Sequence, residues 1–88
     1  MAQQDLDWVF LGGTGDLVMR KLLPALYFLE REGLLPSATR IIGVARTEMD
    51  NNAYRSLVRE RCSVFLAEDF DEALWPSFAD RIHYAAVE

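Results

Sequence analysis

The sequence predicts an α/β fold, a parallel sheet crossed by helices, and three observations predict it. Short β-rich apolar runs occur at three places, stretches of helical period separate them, and a glycine-rich turn joins the first run to the first helix. At 88 residues and 51% hydrophobic content the chain has room for one compact core. Complete doubly wound domains usually need about 150 residues or more. Length alone therefore raises the expectation of an incomplete domain.

The first strand is expected over Leu6 to Leu11, where Trp8-Val9-Phe10-Leu11 ends abruptly at Gly12-Gly13. After Gly15 the period changes. Val18, Leu22, Ala25, Leu26 and Leu29 fall on one stripe, with Arg20, Lys21 and Arg31 off it, which predicts a helix from about Asp16 to Glu32. Gly33 is placed to close that helix in a left-handed conformation. Pro24 conflicts with a regular helix, because it removes the bond to the carbonyl of Arg20. It marks either a kink or a short first turn followed by a second helical start.

Leu34-Leu35-Pro36-Ser37 reads as a connector and Arg40 to Ala45 as the second strand, which stops at Arg46-Thr47. Asp50 or Asn51 is placed to cap a helix whose apolar face is Tyr54, Leu57, Val58, Cys62 and Phe65. Asp71 opens a further helix carrying Leu74, Trp75 and Phe78, provided that Pro76 sits in its first turn. Ile82 to Val87 is the third strand. The order is β-α-β-α-α-β, with right-handed crossovers between parallel strands. The expected spatial order is 3-2-1, and a fourth strand would pair beside the first.

Composition narrows the function. A net charge of −5 and a pI near 4.7 argue against general binding to nucleic acid, which needs clustered Lys and Arg. The start Met1-Ala2-Gln3-Gln4-Asp5 is polar and acidic, and the longest apolar run, Ala25 to Leu29, is too short for a signal sequence or a membrane span. The one cysteine, Cys62, cannot form an internal disulfide, and no metal-ligand spacing is present. A cytoplasmic protein without a metal is expected. Cys62 is assigned to core packing and His83 to a structural place in its strand.

The chemistry concentrates at Gly12-Gly13-Thr14-Gly15-Asp16-Leu17. A pyrophosphate needs backbone N–H donors at a helix start with no side chain in the way, and Gly12 and Gly15 would supply the tight turn and the close approach. The spacing is not a full G-x-G-x-x-G, since Val18 takes the third place. What strengthens it is context, strand then turn then helix, and the far end of the second strand. NAD enzymes commonly place an acid there, whereas this chain has Arg46, suited to the 2′-phosphate of NADP, with Thr47 and Thr14 as hydroxyl donors. Lys21 points either to solvent or over the cleft. Asp16 either caps the helix or complements its dipole, or else shapes the cofactor turn.

Gly12-Gly13-Thr14-Gly15-Asp16-Leu17 followed by Arg20-Lys21-Leu22-Leu23-Pro24-Ala25-Leu26 resembles the G-x-x-G-D-L-A…K-K/R-x-x-P stretch of glucose-6-phosphate dehydrogenases. The resemblance continues through Gly33-Leu34-Leu35-Pro36 and Ile41 to Arg46, and more loosely through Tyr54 to Arg61 and Leu74-Trp75. It implies the amino-terminal part of a Rossmann-type NADP-binding domain, residues 1–88, ending before the fourth strand. It places the coenzyme turn on Gly12, Thr14, Gly15, Asp16 and Leu17, the 2′-phosphate arginine on Arg46, and the lysine near coenzyme and sugar phosphate on Lys21. Val18 departs from the usual Ala.

The implied reaction is oxidation of glucose 6-phosphate by NADP to 6-phosphogluconolactone, the first step of the oxidative pentose phosphate pathway, in an oligomeric parent, with NAD a weaker competitor. No residue here matches the family's histidine base, so no catalytic residue is assigned within the chain. The 88 residues alone are expected to be inactive. Two other readings remain at this point, a different NADP reductase and a non-catalytic NADP-sensing module.

Overall fold

The computed structural model describes residues 6–88, and the polar segment Met1 to Asp5 lies outside them. Three strands, β1 (Asp7–Leu11), β2 (Arg40–Ala45) and β3 (Ile82–Ala86), form one parallel sheet in the order β1-β2-β3. Trp8, Ile41 and Ile82 lie side by side across the sheet, as do Phe10, Gly43 and Tyr84.

A π turn (Val18–Leu22) leads into α1 (Leu23–Arg31) between β1 and β2. The Leu23 N–H bonds to the carbonyl of Val18, five residues back, so the helix widens by one residue. Pro24 falls in the first turn of α1, where its missing N–H leaves no regular helical bond broken. The conflict that proline posed is thus met by a π turn inside one helical run from Asp16 to Arg31, and not by a break with a second helical start. Gly33, at φ +69°, ends the helix. Its N–H bonds to Glu30 O and that of Leu34 to Leu29 O, the paired bonds that close a helix through a left-handed residue.

Between β2 and β3 the chain forms α2 (Asn51–Leu66), a 3₁₀ turn (Ala67–Asp69) and α3 (Trp75–Ala79). Asp50 caps α2, its carboxylate accepting from the Ala53 N–H at 2.7 Å. Asp71 does the same for the turn ahead of α3, accepting from Ala73 N–H at 2.9 Å, and Pro76 sits in the first turn of α3. Tyr54, Val58 and Cys62 are buried as the apolar stripe requires. Phe65 is not: it is 44% exposed, and Leu66 takes the buried place in the last turn. The Arg20 guanidinium lies over the exposed Phe65 ring instead.

Both crossovers cover the same face of the sheet. There Met19, Leu23, Tyr27, Ile41, Tyr54, Val58, Phe78 and Ile82 make one core, with the Cys62 Sγ against the Met19 carbonyl at 3.4 Å. Burial pushes the Cys62 thiol up to about 12, so it stays protonated and inert, as core packing requires. On the other face Val9 and Leu11 are exposed, and Ile42, Val44 and His83 are half-buried beside them. Among the described residues no helix is long and apolar enough to cross a membrane.

Candidate functional site

Parallel strands bring their carboxyl ends to one edge, and the turn after β1 therefore meets the turn after β2. Gly12 leaves β1 with φ +71°, a conformation that favours glycine, and faces open space. Gly13 folds back over β2, its N–H bonded to Val44 O at 2.9 Å, and Gly15 N–H bonds to Gly12 O at 2.8 Å. The helix then starts at Asp16, with Met19 N–H on the carbonyl of Gly15. The N–H groups of its first turn have no intrahelical acceptor, and none bonds another backbone carbonyl among the described residues.

What holds the turn in place comes from far along the chain. The Tyr54 hydroxyl, buried, donates to the Gly13 carbonyl at 2.6 Å. A side chain at Gly13 would meet Gly43 Cα at 2.7 Å, and one at Gly43 would overlap the Tyr54 hydroxyl and ring. Gly13, Gly43 and Tyr54 are thus fitted to one another. Sequence reasoning missed Gly43 and Tyr54, although a glycine inside a β-rich run already signals a close backbone approach. Burial raises the Tyr54 hydroxyl pKa well above its ordinary value, which keeps it a donor.

Asp16 makes an exposed ion pair with Arg20 at 3.0 Å and no hydrogen bond to the helix backbone among the described residues. Of the roles considered for it, side-chain capping is absent and dipole complementation fits its place in the first turn. Leu17 is exposed beside it and Thr14 half-buried. Arg46 and Thr47 follow β2 directly, two and three residues beyond the Val44 that Gly13 bonds. Both are exposed, and Arg46 has no side-chain partner among the described residues. The Thr47 carbonyl accepts from the Tyr84 hydroxyl of β3.

Lys21 stands on the π turn, exposed and without a partner among the described residues, six residues past Gly15. His83 lies away from this edge, in β3 on the uncovered face, where burial and the neighbouring Arg55 and Arg40 lower its pKa. Among the described residues no cluster of His, Cys, Asp and Glu could hold a metal ion. The donor set is backbone N–H groups plus cations, which suits phosphate groups.

The profile of the "Glucose-6-phosphate dehydrogenase, NAD binding domain" matches residues 9–88. The chain belongs to the glucose-6-phosphate dehydrogenase family. The glucose-6-phosphate 1-dehydrogenase of Dickeya dadantii is 46% identical over 85 residues, covering 97% of this chain and 17% of that protein. That of Mycolicibacterium smegmatis is 45% identical, covering 93% of this chain and 17% of its own. The solved glucose-6-phosphate 1-dehydrogenase of Mycobacterium avium superposes with a TM-score of 0.82 at 33% identity, over 96% of this chain and 18% of that one. A solved glucose-6-phosphate dehydrogenase in complex with its substrate glucose-6-phosphate gives 0.76 at 32% identity, over 100% of this chain and 19% of that one. The chain thus spans about a sixth of the length of the curated family members it matches.

Proposed function

We propose that the chain is the amino-terminal, NADP-binding part of a dehydrogenase that oxidises glucose 6-phosphate to 6-phosphogluconolactone. In this reading the N–H groups of the turn Gly12, Gly13, Thr14, Gly15, Asp16 and Leu17 hold the pyrophosphate. Arg46 and Thr47 read the 2′-phosphate, and Lys21 leans over the cleft toward coenzyme and sugar phosphate. The bound NADP supplies the acceptor for a hydride from C1 of the sugar. These residues orient it and carry its charge, while the base that takes the C1 hydroxyl proton and the sugar site belong to sequence beyond Glu88. The sheet continues past β1 with a fourth strand, the 3-2-1 order extended by a 4 beside the 1. The position of β1 at the sheet edge supports that continuation, and the exposed Val9 and Leu11 fit a further layer over the uncovered face.

The observation that carries the coenzyme reading is Arg46: a family-matched dinucleotide domain ends its second strand on a cation without a partner among the described residues, not on a carboxylate. Charge-assisted bonds from a guanidinium are worth about 1.5–3 kcal/mol, or about a 10- to 150-fold change in affinity. In the complete dehydrogenase, Arg46→Ala is expected to weaken NADP by that factor and NAD by no more than a few-fold. Titration of both coenzymes measures it. Equal weakening of the two removes the 2′-phosphate assignment. The 88 residues alone are expected to give no NADPH above background with glucose 6-phosphate.

A further inference from the structure

Two tyrosines lie behind the cleft, each bonded to the backbone of one of its walls. The Tyr54 hydroxyl donates to the Gly13 carbonyl, 41 residues away in sequence, and the Tyr84 hydroxyl donates to the Thr47 carbonyl, 37 residues away. Their rings meet at 4.8 Å between centroids with a 32° tilt, so the two are packed as one unit. The Tyr84 N–H is held in turn by the Asn51 side chain at 2.8 Å, which ties β3 to the start of α2.

One of these bonds is buried and the other exposed, and peptide geometry carries both to the cleft. A trans peptide carries its C=O and the following N–H on opposite sides. With the Gly13 carbonyl drawn inward to Tyr54, the Thr14 N–H faces the other way, and it has no backbone acceptor among the described residues. With the Thr47 carbonyl drawn to Tyr84, the segment Arg46-Thr47 is fixed at its carboxyl side while the Arg46 side chain stays exposed. Gly43 makes room for the arrangement, since any side chain there would overlap the Tyr54 hydroxyl.

From this geometry we infer that Tyr54 and Tyr84 are positioning residues for the coenzyme, with separate assignments. Tyr54 sets the turn that takes the pyrophosphate, common to NADP and NAD. Tyr84 sets the Arg46-Thr47 segment that takes the 2′-phosphate, present in NADP alone. The tilted, packed rings fix the spacing between the two. This inference rests on the coenzyme reading given above.

The test uses the complete dehydrogenase with Tyr54→Phe, Tyr84→Phe and Arg46→Ala, titrated with NADP and with NAD, and a melting temperature for each variant. Phenylalanine keeps the ring, its stacking and the core volume, and removes only the hydroxyl. Loss of one such bond corresponds to about a 2- to 10-fold change. Tyr54→Phe is expected to weaken NADP and NAD by the same factor within that range. Tyr84→Phe is expected to weaken NADP within that range and NAD by less than twofold, so the NADP-to-NAD ratio moves as it does in Arg46→Ala. A lower melting temperature in both tyrosine variants with both dissociation constants unchanged would reduce the pair to core packing and overturn the inference. Equal weakening of both coenzymes by Tyr84→Phe, while Arg46→Ala still discriminates, would overturn the Tyr84 assignment and leave the coenzyme reading standing. Equal weakening by Arg46→Ala would instead remove the coenzyme reading itself.

Discussion

The two ends of the sheet treat their cations in opposite ways. At the amino ends of the strands every arginine is committed: Arg40 forks onto the Asp7 carboxylate, at 3.0 and 2.7 Å. Arg81 bonds Glu30 at 2.9 Å and the carbonyls of Pro36 and Thr39, in a largely buried cluster. At the carboxyl ends Arg46 and Lys21 have no partner among the described residues. One end commits its charge to joining connector, helix and strand. The other leaves these two cations exposed, and what it orders is the backbone, through Tyr54 and Tyr84. In the coenzyme reading proposed above, stability and binding fall to different edges of one small sheet.

The largest expected effect lies at the closed end. Arg81→Ala removes the cation paired with the buried Glu30 carboxylate, which keeps only the Ser77 hydroxyl, and one donor from each of the Pro36 and Thr39 carbonyls, and breaking a buried pair costs about 3–5 kcal/mol. In a chain this small that is expected to abolish the cooperative urea transition; an unfolding free energy lowered by less than about 1 kcal/mol would mean the cluster is not what joins this end. Next comes Gly43→Ala, which drives a methyl into the Tyr54 hydroxyl and costs about 1–3 kcal/mol as an overpacking change. It should also loosen the Gly13 turn, seen as faster amide exchange at Gly13 and Gly15. Unchanged exchange there would separate the turn from its tyrosine.

A smaller effect is expected from pH. The His83 pKa is lowered chiefly by burial, so protonation favours the unfolded chain. Its contribution is fully present above the ordinary value of 6.5 and is lost as pH falls from there through the lowered folded value. Stability curves between pH 7.5 and 5 should therefore slope downward toward acid, and His83→Gln should flatten that part. The smallest effect belongs to the open end: Arg46→Ala should change stability by no more than about 0.5 kcal/mol, whatever it does to coenzyme affinity. A stability loss comparable to that of Arg81→Ala would erase the contrast between the two edges.

Much of this architecture was legible in residue order because the signals are local. The period change at Gly15, the cap at Asp50 and the helix end at Gly33 each depend on residues within one turn of each other. The glycine turn and Arg46 were legible for the same reason, as ends of strands. What was not legible is carried by long-range contacts. The Tyr54 bond to Gly13 spans 41 residues and the Arg81 bond to Glu30 spans 51, and no periodicity within a single element encodes either. The exposure of Phe65 beside the buried Leu66 is likewise a matter of packing and not of spacing. Pro24 lay between these cases: its conflict with a regular helix was visible, but the π turn that resolves it is a property of the whole segment.

That turn also bears on how this helix can change in evolution. A π turn is an α-helix with one residue more than its pitch holds, so a deletion within Val18 to Leu22 would return the segment to regular winding. Regular winding would then set the Pro24 ring against the carbonyl of the preceding turn, at a cost of about 3 kcal/mol. The deletion is therefore tied to the proline: made alone it is a step down, and the helix sheds its extra residue without that cost only if the proline is replaced as well. Because Lys21 stands on the π turn, loss of a residue ahead of it, among Val18 to Arg20, would also turn it by about 100° around the axis, the angle of one residue, relative to the glycine turn.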